Sequence, residues 1–186
     1  NNSRTLINLI GLPLTLFLIY LGGIYFSFII YLAIIISTKE FNDISCKKNI
    51  NLNLSWIYFS YLIVFIASYF DHNIFSIMYV ELFFILILIL FTHEIFRGRD
   101  NPFENISSSI FALIWIGFSL TTITLIRNIE INGFLLTLVM FLSVWICDTF
   151  AFYFGSKFGK KKLIKTISPN KTWLGSIAGY LSVLLF

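Results

Sequence analysis

The chain has 186 residues, 58% of them hydrophobic and 12% charged, with a mean hydropathy of +0.89 and a formal net charge of +4. A soluble domain carries about 25% charged residues. So little charge cannot cover a water-facing surface, and the composition indicates an all-α, polytopic bundle of transmembrane helices.

A bilayer core about 30 Å thick takes about 20 apolar residues per helix. On that measure the chain divides into seven segments, at 6–21, 22–37, 54–70, 74–92, 106–126, 132–154 and 173–186. Pro13 and Gly22-Gly23 punctuate the first pair and predict a tight hairpin. No small-x-small cleavage site follows the first run, which argues against a signal peptide. The Asn- and Lys-rich connection from Thr38 to Asn53 is expected to be a solvated loop. "HEIFRGRDNPFEN", from His93 to Asn105, is expected to be a mixed-charge loop in which Pro102 ends the preceding helix. Glu81 lies within the fourth segment, where a shift of one turn brings it to the outer interface, so it is left outside the site. The seventh segment has only fourteen residues, short of a full span. It is either re-entrant or, as we expect, part of a longer fold, of which residues 1–186 form a single membrane domain.

With the N-terminus in the cytoplasm, twelve of the thirteen Lys and Arg residues fall on the cytoplasmic side and only Arg127 falls outside. That asymmetry is the positive-inside pattern. The net positive charge is therefore topological and no argument for nucleic acid. Cys46 and Cys147 suggest neither a disulfide framework nor a zinc site. His72 and His93 fall on opposite sides of the membrane and cannot share a metal.

One stretch departs from the rest: "CDTFAFYFGSKFGKKKLIKTISPNKTWLGSIAG", residues 147–179. Asp148 lies inside the sixth segment, toward its cytoplasmic end. An aspartate at the centre of a membrane helix costs about 2.5–3.5 kcal/mol even on lenient insertion scales, so it needs a polar cavity and a partner. It is either a structural hydrogen-bonding group or, the sharper reading, a metal ligand or catalytic carboxylate. Ser143, Cys147, Ala151 and Gly155 form a strip of small residues at helical spacing. Thr172, Gly175, Ser176, Gly179 and Ser182 form a second strip. Small residues let membrane helices approach closely, and the two strips are expected to meet, with Asp148 bordering the contact.

The connecting loop does not fit a Walker A site, because three residues rather than four separate Gly155 from Gly159. "SPNKTW" is expected to begin a helix capped by Ser168, with Pro169 at its first position and Lys171 in its first turn. A cation beside free N–H groups is a ready phosphate site. Lys161, Lys162 and Lys165 are assigned instead to anionic lipid headgroups. An intramembrane acid and an anion site at the cytoplasmic surface suit Mg²⁺ and substrate phosphates. Residue chemistry thus suggests an enzyme joining a soluble phosphate compound to a lipid.

Residues 148–179 resemble the central part of the phosphatidate cytidylyltransferases, also called CDP-diacylglycerol synthases. Asp148, Thr149, Ala151, Gly155, Phe158, Gly159, Lys160, Ser168, Pro169, Lys171, Thr172 and Gly175 match the family pattern. Leu174 stands where the family usually has glutamate, Ala178 where a glycine pair is usual, and Phe152 at the usual tyrosine position. The family's C-terminal signature, whose aspartates are expected to hold metal with the helix-end acid, is not among these 186 residues.

The resemblance implies that CTP and phosphatidate react to give CDP-diacylglycerol and pyrophosphate at the cytoplasmic face of a bacterial inner membrane, with Mg²⁺ as cofactor. It implies Asp148 as metal ligand and catalytic group with Lys171, while Lys160, Ser168, Asn170 and Thr172 bind substrate. Membrane lipids and a second copy of the chain are further candidate partners. Two alternatives stand beside it: a CTP-dependent kinase of polyprenol-type alcohols, and a non-catalytic scaffold or transport protein.

Overall fold

A computed structural model of the chain describes residues 2–70, 77–164, 166 and 168–186, with side chains described at 11–67, 81–164, 166 and 168–186. The expectations for His72, Lys165 and the Arg4 side chain lie outside the described residues. Within a bilayer every backbone polar group must be satisfied inside its own segment, and the apolar runs accordingly fold as helices. They are α1 (Asn2–Leu21), α2 (Gly23–Cys46), α3 (Leu54–Phe70) and α4 (Ile77–Arg97). An unbroken helical stretch follows, made of α5 (Pro102–Phe111), a π-helical segment (Ala112–Phe118) and α6 (Ser119–Arg127). Then come α7 (Gly133–Phe158), the short strands β1 (Lys162–Ile164) and β2 (Ser168–Thr172), and α8 (Trp173–Leu185).

These helices follow the seven apolar segments in order. Among the described residues three stretches are long and apolar enough to cross a membrane, Gly23–Cys46, Pro102–Arg127 and Gly133–Phe158. Gly11–Leu21, Leu54–Ala67 and Trp173–Leu185 are shorter apolar helices. The chain divides into two compact units, Asn1–Phe134 and Leu135–Phe186.

In the first unit, Ile34, Leu52, Ile57, Tyr61, Leu90, Ala112 and Leu113 form the buried apolar centre. The Tyr61 hydroxyl donates to the Ala112 carbonyl at 3.0 Å and pairs with the Thr38 hydroxyl at 3.1 Å. A π-helix shifts its backbone bonds by one residue, and Tyr61 engages a carbonyl where that shift begins. Gly117 makes room for the Tyr61 ring, which a Cβ at that position would strike.

Three sequence expectations are corrected in this unit. Pro13 does not break α1, which runs through it. The Thr15 hydroxyl, two residues on, shares its proton between the carbonyls of Gly11 and Leu12, at 3.0 and 2.9 Å.

The stretch from Thr38 to Asn53 is not a solvated loop. α2 continues to Cys46, and Thr38, Ser45, Leu52 and Asn53 are buried. Thr38, Asn51 and Asn53 have tertiary hydrogen-bond partners that the sequence does not reveal. The Asn51 N–H donates to Asn105 Oδ1 at 2.8 Å, and the Asn53 N–H donates to Ser109 Oγ at 3.3 Å.

Nor does Pro102 end the helix before it. α4 stops at Arg97, Gly98 takes φ +63°, and Pro102 opens α5. Its missing N–H costs nothing at a first helical position.

The connection between α1 and α2 is the predicted tight hairpin. Gly22 has φ 61° and ψ −154°, a conformation open essentially to glycine alone. Arg127 explains its own exception to the charge pattern. Its Nε donates to the Ile19 carbonyl at 2.7 Å and its Nη2 to that of Tyr20 at 3.2 Å. It thus satisfies carbonyls that the end of α1 leaves without intrahelical donors.

Candidate active site

The stretch that carries the sequence motifs is the second compact unit. α7 and α8 run antiparallel through the two strips of small residues, which meet as expected. A Cβ on Gly175 would lie 2.7 Å from the Ala151 carbonyl oxygen and 3.0 Å from Gly155 Cα. One on Gly179 would lie 2.9 Å from the Cys147 carbonyl oxygen and 3.1 Å from Ala151 Cβ. Backbone therefore rests directly on backbone. Cys147, Ala151 and Gly155 face Gly175 and Gly179, and no larger residue fits at the two glycines without separating the helices.

The chain reverses between these helices through an antiparallel hairpin. Lys162 pairs with Thr172 and Ile164 with Ser168. Between those two pairs the single residue Leu163 opposes Pro169, Asn170 and Lys171, so β2 bulges outward. The proline has no N–H to give to a ladder, and a bulge turns side chains away from regular pairing. Asn170 and Lys171 are exposed on it, whereas Ser168 is half-buried.

The expected cap is thereby corrected. Ser168 does not cap a helix and Lys171 is not in a first helical turn. Residues 168–172 are strand, and α8 begins at Trp173 with Thr172 as its N-cap. The Gly175 N–H donates to Thr172 Oγ1 at 3.2 Å, and the Trp173 N–H donates to the Lys161 carbonyl at 3.1 Å. Thr172 prevails because its side chain is buried against Gly155 and Gly159, where a Cβ on Gly159 would collide with it. Ser168 has no such seat. The threonine followed three residues later by a glycine in tight helix contact is the signal that "SPNK" obscured.

Of the expected site residues, the hairpin brings Lys171, Asn170 and Thr172 into one short run. Lys160, Lys161 and Lys162 are exposed at the start of the same hairpin. This unit contains six lysines and a single acid, Asp148, so its field at the hairpin is strongly positive. Asp148 is exposed on α7, next to the strip that faces α8, and has no ion pair among the described residues. It lies seven residues before Gly155, or about 10 Å along the axis at 1.5 Å per residue. Asp148 and the hairpin lysines are therefore two subsites on one unit rather than one contact. Among the described residues no group of three His, Cys, Asp or Glu side chains is placed to hold a metal ion.

The first unit holds a polar cluster that sequence reasoning missed. Glu94 is 2% exposed and Asn105 is fully buried. Arg97 Nη1 pairs with Glu94 Oε2 at 3.0 Å, and Asn105 Nδ2 donates to Glu94 Oε1 and to the Asp100 carbonyl, each at 3.0 Å. Asn53 Nδ2 donates to His93 Nδ1 at 2.6 Å. The i, i+3 spacing of Glu94 and Arg97 was the available signal; the burial was not visible from it.

Comparison with known proteins agrees with the motif. Residues 2–186 match the profile of the Cytidylyltransferase family. A phosphatidate cytidylyltransferase of Bacillus subtilis (strain 168) is 28% identical over 189 residues, an alignment covering 98% of this chain and 68% of the relative. That of Staphylococcus haemolyticus (strain JCSC1435) is 26% identical over 98% of this chain and 68% of its own length. One from Brucella abortus is 40% identical over 67 residues, which are 36% of this chain and 25% of that protein. No solved structure matches the chain. With nearly its whole length inside the profile, the chain belongs to the Cytidylyltransferase family.

Proposed function

We propose that the chain transfers the cytidylyl group of CTP to phosphatidate, giving CDP-diacylglycerol and pyrophosphate. The observation that carries this reading is the family match over residues 2–186, together with relatives of that activity aligned over 98% of the chain. In the reaction an oxygen of the lipid phosphate attacks the α-phosphorus of CTP. The bond from that phosphorus to the bridging oxygen breaks, and pyrophosphate leaves with the electron pair.

The geometry supports a division of labour. Lys171 and Asn170 on the bulge, with Lys160 at the hairpin's start, hold phosphate groups by charge and hydrogen bonding. Ser168 at the other end of β2 adds a hydroxyl. Thr172, buried against Gly155 and Gly159 with its oxygen capping α8, fixes the end of β2 that carries Asn170 and Lys171. Asp148 lies about 15 Å inside the hairpin end of α7, reckoned from Phe158. In a membrane, a carboxylate at that depth requires a polar cleft rather than lipid tails around it.

A single exposed carboxylate suits Mg²⁺, which takes one or two carboxylates and completes its shell with water and substrate phosphates. Asp148 would be its protein ligand, and the ion would neutralise charge on the transferring phosphoryl group. All seven segments are assigned as spans or half-spans of one bundle. The N-terminus and the hairpin lie on the cytoplasmic side of a bacterial inner membrane, where CTP is available, and a second copy of the chain is a candidate partner.

The test uses membranes carrying this chain, and a version extended to the length of the relatives, supplied with phosphatidate, Mg²⁺ and CTP labelled in cytidine. Lipid-soluble cytidine that disappears in Asp148→Asn supports the proposal. Transfer of the γ-phosphate to lipid without cytidine, or cytidine transfer indifferent to Asp148→Asn, refutes it.

A further inference from the structure

The hairpin carries apolar surface as well as charge. Phe158 at the end of α7, Ile164 on β1 and Trp173 at the start of α8 are 51%, 47% and 50% exposed. They stand beside the exposed Lys160, Lys161 and Lys162. Lys157 lies 5.4 Å from the ring centroids of both Tyr153 and Phe158, and its Nζ donates to the Tyr153 hydroxyl at 3.3 Å.

Because Gly155 abuts Gly175, the two helices end at the same level and the hairpin crosses both ends. Aromatic rings and lysines concentrated at one level of paired apolar helices mark a membrane–water boundary. A two-stranded hairpin is marginal on its own, and this one is further weakened by its bulge. Its exposed apolar side chains call for a covering surface, and its lysines require that surface to be negative.

We propose that the face formed by Lys161, Lys162, Ile164, Phe158 and Trp173 docks on the anionic headgroups of the leaflet at which α7 and α8 end. Lys161 and Lys162 hold lipid phosphates while Ile164 and Trp173 enter the acyl boundary. The proposal rests on α7 and α8 lying in a membrane and not on the reaction. Lys160 and Lys171 remain with the nucleotide phosphates, so the hairpin has a lipid-bound face and a substrate-bound bulge. Docking fixes the height of that bulge relative to the membrane surface.

The experiment uses the full chain in nanodiscs, with Trp56, Trp115 and Trp145 replaced by Phe so that Trp173 alone fluoresces. Quenching is compared for phosphatidylglycerol and phosphatidylcholine brominated near the top of the acyl chain, at equal mole fraction. We expect at least about twofold stronger quenching by the anionic lipid. Lys161→Gln with Lys162→Gln should bring the ratio to one, with helical circular dichroism unchanged.

Equal quenching by the two lipids in the parent, or a ratio unaltered in the double variant, overturns the proposal. So does quenching by neither lipid, which would mean that protein covers the face. A ratio abolished by inorganic pyrophosphate would assign the two lysines to soluble phosphates and also refute lipid docking. Cytidylyl transfer is not the readout, so either proposal can fail without the other.

Discussion

The contact between α7 and α8 is tested by adding one methyl group. In Gly175→Ala the new Cβ would lie 2.7 Å from the Ala151 carbonyl oxygen and 3.0 Å from Gly155 Cα, where ordinary contact begins at 3.4 Å. Both obstacles are backbone, so no rotamer change relieves them and the helices must part by several tenths of an ångström. Overpacking of this kind costs about 1–3 kcal/mol, and a clash with backbone belongs at the upper end. Alanine returns about 1 kcal/mol of helix propensity over glycine, leaving a net loss of about 2 kcal/mol. Gly11→Ala is the control, since no heavy atom lies within 4 Å of its added Cβ. It should be neutral or slightly stabilising. Thermal unfolding of the purified protein in detergent reads the difference, and cytidylyl transfer should fall with Gly175→Ala because Thr172 and the hairpin move with α8. Unfolding midpoints of Gly175→Ala and Gly11→Ala that coincide would refute the backbone-on-backbone reading.

Asn105→Ala removes the acceptor for the Asn51 N–H and donors to Glu94 and Asp100, leaving a buried carboxylate oxygen short of a partner. We expect a loss of about 2–4 kcal/mol, measured as a lowered denaturation midpoint; an unchanged midpoint would mean that water replaces the amide. Arg127→Met frees the Ile19 and Tyr20 carbonyls and should cost about 1.5–3 kcal/mol, as for hydrogen bonds made by a charged group. Faster amide exchange confined to the α1–α2 turn is the expected sign, and unaltered exchange there would exclude the capping role.

The seven apolar segments were legible because membrane helices are specified by local composition: a run of about 20 apolar residues admits little else in a bilayer. The meeting of the two small-residue strips was legible for a similar reason, since helical spacing places Cys147, Ala151 and Gly155 on one face. The motif around Asp148 also lies within one continuous stretch, and the family follows from it.

Tertiary structure alone decided where polar residues go. Thr38, Asn53, Glu94 and Asn105 sit in segments whose composition suggests solvent, yet each is buried because a partner from a distant segment satisfies it. The start of α8 was decided in the same way. Ser168-Pro169 has the local form of a helix start, but Thr172 is the residue that packs into the glycine contact and caps the helix. Local sequence sets where a helix can begin. Packing against α7 selects where it does.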